Sequence, residues 1–356
     1  MDAHPRPPVP PAPGRIDVRL TDLGDLAASI PHLLGFRPRE SVVLVSLTGP
    51  SGGRVGLTMR ADIPPAEHAG ALAAALTRRV LTDRPRGAVL AVVSDEPDAV
   101  DGLPHRALVH ELVLALTRHA VAVDEAVLVR SGRWWSYDCA DACCAPGRGT
   151  PLPTGVTELE VAAVATGVVV EPDREGLGAR IAPPDASARQ AMAAACAEFA
   201  AARADSISEA GWHAVAERSW TAILDALARS RPGASAAGSR LTDPELARVV
   251  WGLRDRAVRD RALQLALGPD AAAAEQLWTE CTRRAPGPLD AAPATLLAVS
   301  AWLRGDGAMA DVALRRALAS EPGYALARLL VQALAACMHP AALRALIAEA
   351  VHGPVD

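Results

Sequence analysis

The hydrophobic period changes near residue 184, and that change constrains the fold more than any other feature. Before it, apolar residues fall in short β-branched runs and strict alternation between helical stretches. After it, only helical spacing survives. Thr21 to Leu34 places Leu23, Leu26, Ala27, Ile30 and Leu34 on one face, with Thr21 as N-cap and Pro31 as stop or kink. Val42 to Leu47 reads as a buried strand. After the turn GPSGG, Arg54 to Asp62 alternates and pairs back as a hairpin. A helix over Pro64 to Leu81 leads to Gly87–Val93, apolar throughout, the pattern of an interior parallel strand. A helix over Leu103 to His119, a strand over Val123 to Arg130 and the pair Trp134–Trp135 follow. A helix at Glu158 to Thr166 and a strand-like Val168–Val170 close the region. This order predicts an α/β layer domain over 15–184, a mixed sheet with one antiparallel hairpin.

The remainder predicts an all-α domain. Helices at Ser187–Arg203 and Ser208–Arg229 form a connector over 185–230. SRPGASAAGSR supplies a linker at 231–243, and further helices fill 244–352. Ala274, Trp278, Cys281 and Pro286 recur as Ala310, Leu314, Ala317 and Pro322, with identical offsets of 4, 3 and 5. That spacing resembles a tetratricopeptide repeat, two helices with small residues where they cross and Pro after the second. The first 14 residues read as a disordered Pro-rich tail.

Composition narrows the class. Half of the chain is apolar and 22% is charged, so a folded protein is expected. Every basic side chain is Arg, which marks a GC-rich bacterial genome, and the net charge of −5 argues against nucleic acid as a partner. No run reaches the ~20 apolar residues that span a bilayer, and the N-terminus lacks a signal-peptide centre, so the expected place is the cytoplasm, with no membrane partner.

Three strings suggest a family: Pro31 to Pro38 with Ser41; Arg133 to Cys139 with Cys143–Cys144; and Pro293 to Leu297 with Ala301–Trp302 and Gly305–Gly307. They resemble the actinobacterial family catalogued as domain of unknown function 4192, over about Leu20 to Met338. The resemblance implies an intracellular bacterial protein and supplies no catalytic residues.

Four candidate sites follow. Cys139, Cys143 and Cys144 are thiolate ligands of the kind a structural zinc takes. A fourth ligand is sought among His119, Asp138 and Asp141, although adjacent cysteines are expected to point apart. The alternatives are a disulfide or redox pair and plain packing beneath a loop. Trp134 and Trp135 are expected either to pack in the core together, through a loop, or to divide, one in the core and the other, taken as Trp135, offering a ligand-binding stacking surface. In GFRPRES, Arg37, Arg39 and Ser41 would bind an anion, or else Gly35, Phe36 and Pro38 merely shape a turn. Asp95 lies past a strand's carboxyl end, where α/β sheets bind ligands, and Asp62 is expected at the opposite edge.

No nucleotide-binding, zinc-protease or serine-hydrolase motif is present. The leading expectation is therefore a non-enzymatic interaction or regulatory module that holds a protein partner on its helical repeats. The alternatives are a nucleotide- or nucleic-acid-processing enzyme on a ribonuclease-H-like or Rossmann-like domain, and a zinc or thiol redox module.

Overall fold

The computed structural model describes residues 23–50, 52–99, 102–155, 160–161, 169–231 and 240–352. The Pro-rich tail, the Thr21 cap, most of the helix expected at 158–166 and the centre of the linker lie outside the described residues. Val169 and Val170 are not in a strand.

Six strands form one sheet: β1 (Ser41–Thr48), β2 (Arg54–Asp62), β3 (Gly87–Val93), β4 (Ala122–Arg130), β5 (Arg133–Ser136) and β6 (Thr150–Pro151). Their order is β2-β1-β3-β4-β5-β6. The hairpin of β1 and β2 is present. β3 is interior as expected, but it runs antiparallel to β1 and parallel only to β4. Its unbroken apolar run reflects cover on both faces, which parallel and antiparallel strands share when helices flank a sheet. A second antiparallel hairpin joins β4 to β5. Its two-residue turn, Ser131 and Gly132, has positive φ at both positions, 49° and 74°. Primed turns of this kind match the strand twist.

The faces of the sheet are separate cores. Val42, Leu44, Leu90, Val92, Leu128 and Trp135 pack against α2 (Ala69–Val80) and α3 (Arg106–Thr117). The alternate residues Val43, Val45, Val89, Ala91 and Val127 join α1 (Leu23–Leu34) and the C-terminal helices in one continuous cluster. Pro31 sits inside α1, which runs on to Leu34. A proline removes one helical hydrogen bond but need not end a helix whose apolar face is packed. Gly35, at φ +76°, takes the left-handed conformation that follows the helix.

α4 (Arg174–Arg180) precedes α5 (Ala186–Arg229). The two connector helices of the sequence reading are one run, broken at Gly211 (φ 77°, ψ 163°) instead of between Arg203 and Ser208. Only glycine adopts that conformation without steric cost. Then come α6 (Asp243–Gly252), α7 (Arg256–Leu263), α8 (Ala271–Arg284), α9 (Ala291–Arg304), α10 (Gly307–Ser320), α11 (Ala325–Ala335) and α12 (Pro340–His352). α9 is buried continuously from Ala291 to Trp302, between α8 and α10. The recurring residues Ala274, Trp278 and Cys281, and Ala310, Leu314 and Ala317, are all fully buried. No helix among the described residues is long and apolar enough to cross a membrane.

Candidate functional site

β1 runs against both β2 and β3, so β2, β3 and β4 end at one edge of the sheet. Ser41 pairs with Asp62 on one side and Val93 on the other. Asp62 and the residue after Ser94, Asp95, therefore share an edge, contrary to the expectation of opposite edges. They stand about two strand spacings, roughly 10 Å, apart. Asp62 is ion-paired to Arg60 at 2.6 Å. Among the described residues, no group of carboxylates at this edge has the spacing of a cation site.

The residues assembled at this edge are ones the sequence did not single out. Ser94, 2% exposed, donates its hydroxyl to Glu40 Oε2 at 2.7 Å, and the Asp95 N–H donates to Glu40 Oε1 at 2.8 Å. His105 Nε2 stands 3.0 Å from Ser94 Oγ and 3.1 Å from Glu96 Oε2. Glu40 and His105 both have positive φ, 39° and 59°, a costly state for residues with a Cβ. With the Ser94 hydroxyl donating to Glu40, the Ser94 oxygen is left as an acceptor toward His105 in the tautomer that protonates Nε2. The serine hydrolase arrangement is the reverse: a bare nitrogen faces the hydroxyl and the acid holds the other nitrogen. Here the Ser94 hydroxyl donates to Glu40, so the network ties the loop after β3 to the residue before β1.

Arg37 and Arg39 are exposed, whereas Ser41 is buried, donating to the Arg39 carbonyl at 2.5 Å and accepting from Arg60 Nε at 2.8 Å. Phe36 and Pro38 are buried, and the Arg37 N–H donates to the Glu171 carbonyl at 3.0 Å. The three side chains are not gathered around a common point, and the side chain of Asp95 is exposed. Trp134 and Trp135 face opposite sides of the sheet. Trp135, 3% exposed, is the core residue of the pair; Trp134 is the half-buried one. Arg130 lies over the Trp135 ring at 4.8 Å.

The loop after β5 carries the thiols. A 3-10 turn at Ala142–Cys144 folds Cys143 and Cys144 back toward Cys139. Cys139 Sγ and Cys143 Sγ are 3.8 Å apart, and Cys143 Sγ and Cys144 Sγ are 3.9 Å apart. All three sulfurs lie within 4.8 Å of one another. The tight turn thus points the adjacent cysteines the same way. His119, Asp138 and Asp141 are not part of the group. Cys144 is buried, Cys139 half-buried and Cys143 exposed. Burial pushes the Cys144 thiol up to about 11, opposed by the Ser136 N–H, which donates to its sulfur at 3.3 Å.

A cavity of about 970 Å³ lies in the helical half, away from both clusters, and several arginines line it. Those arginines are largely spent on carboxylates: Arg229 with Glu245 at 2.6 Å, Arg231 with Asp270 at 3.1 Å, Arg283 with Glu280 at 3.2 Å and Arg284 with Asp243 at 2.5 Å.

The model of the family described as Domain of unknown function (DUF4192) matches residues 24–341. No curated protein and no solved structure matches the chain.

Proposed function

The chain belongs to that family, and from this premise we propose that it is a non-enzymatic interaction or regulatory protein of the bacterial cytoplasm. Its repeat-like helical half holds a partner protein. The exposure of large apolar side chains on that half carries the reading. Trp212 on α5 is 64% exposed, Leu329 on α11 63% and Leu346 on α12 51%. Tryptophan is enriched among the few residues that dominate protein interfaces, and a contiguous exposed apolar patch marks an interaction surface. The polar groups at the sheet edge support the same reading from the other side. They are spent on one another, Ser94 on Glu40 and Arg60 on Ser41 and Asp62.

The test is affinity capture from extract of the source organism, with the wild-type chain and with Trp212→Ala combined with Leu329→Ala. Both positions are on the surface, so the variant folds. A protein retained by the wild type and lost from the variant supports the reading. The same set retained by both chains overturns it.

A further inference from the structure

We propose that Cys139, Cys143 and Cys144 form a three-thiolate zinc site whose fourth coordination position is open to solvent.

The distances carry this. Zinc binds thiolate at about 2.3 Å in a tetrahedron, which sets neighbouring sulfurs about 3.8 Å apart. The two closest pairs stand at 3.8 Å and 3.9 Å, and the third sulfur pair is within 4.8 Å. A disulfide needs a sulfur separation of about 2.05 Å, and all three cysteines are free thiols. The Ser136 N–H donates to Cys144 Sγ at 3.3 Å, the outer-shell hydrogen bond that orients a metal-bound ligand. Three thiols brought together around one point otherwise gain little, since packing alone does not require their sulfurs to converge.

The open position follows from two observations. Among the described residues, no further His, Cys, Asp or Glu joins the group. Cys143 is exposed, so solvent reaches the cluster on that side. Zinc with three protein ligands keeps a position for water or an incoming ligand. Binding releases the thiol protons to solvent, and zinc itself is not oxidised or reduced.

The experiment uses the full chain, purified under reducing conditions without chelator. Metal content is read by elemental analysis, and the same chain is reloaded with Co²⁺ after metal removal. The expected result is about one zinc per chain and a cobalt spectrum with thiolate charge-transfer and intense tetrahedral bands. Both signals are lost in Cys139→Ser and in Cys143→Ser and kept in Cys337→Ser, with all three variants matching the wild type in circular dichroism. Excess imidazole shifts the cobalt bands if the fourth position is open. Zinc-loaded wild type that retains no metal after desalting and shows no charge-transfer band overturns the site. Metal retained in both Cys139→Ser and Cys143→Ser overturns it as well. Cobalt bands unmoved by imidazole overturn the open position.

Discussion

Trp278→Ala separates one shared core from two independent ones. Trp278 lies on α8 with no exposed surface and is among the largest fully buried side chains. It belongs to the same cluster as Val89 and Ala91 of β3. Truncating a buried Trp to Ala costs about 3–5 kcal/mol, the transfer of the ring plus the cavity left behind. Unfolding entropy of about 2.1 cal/mol/K per residue, over 356 residues, converts this to a drop of about 4–7 °C in melting temperature if the chain unfolds as one unit. Amide hydrogen exchange reads the coupling directly. The β3 amides are hydrogen-bonded between β1 and β4, so they exchange through the largest opening available to them. If that opening includes the helical half, β3 exchange accelerates by about two to three and a half orders of magnitude, at 1.4 kcal/mol per tenfold. Unchanged β3 protection, with protection lost in α8 to α10, would refute the continuity of the core and leave the sheet as an autonomous unit.

Ser94→Ala removes the hydroxyl that joins Glu40 to His105 and should lower stability by about 1–2 kcal/mol, read as a shift of the urea midpoint. No shift would mean that the network does not hold the loop. Glu245 closes the capping box of α6: the Thr242 N–H, first, and then its hydroxyl and Arg229 hold the carboxyl below its usual range. A depressed native value gives stability that is present above the unfolded value of about 4.3 and is lost as the pH falls through the native one. Glu245→Gln should therefore be less stable than the wild type at pH 7, by no more than about 1 kcal/mol for so exposed a group. The two melting curves should converge in acid; a difference that grows toward low pH would contradict the sign.

Strand positions were legible from the short apolar and alternating runs, helped by Gly or Pro near most of their ends: β2 and β3 occupy the same residues in sequence and structure, and β1 and β4 agree within a residue at either end. Strand direction was not legible. The apolar run of β3 records that both faces are covered, and that is equally true of an antiparallel partner on one side and a parallel partner on the other. The error about Asp62 followed from this. Once β1 is placed between β2 and β3, both outer strands end at the same edge. The Cys cluster was visible by spacing, but its convergence depends on a 3-10 turn that sequence alone does not fix. Glu40, Ser94 and His105 left no signal. They lie at separations of 54 and 11 residues and meet through two positive-φ positions occupied by residues that do not advertise such a backbone.

The two polar features of the α/β half are mechanically joined. Asp98, in the loop after β3, accepts from Arg130 at 2.8 Å and from the Gly147 N–H at 2.7 Å. Gly147 lies three residues beyond Cys144. Arg130 in turn covers the Trp135 ring and donates to the Glu96 carbonyl at 2.6 Å, and Glu96 faces His105. The Arg130–Asp98 pair is largely shielded from water, with side chains 13% and 17% exposed, so solvent and salt weaken it less than the surface pairs elsewhere. The Cys loop and the anchored loop at the sheet's carboxyl edge are thus held in one chain of contacts through Asp98, Arg130 and Glu96.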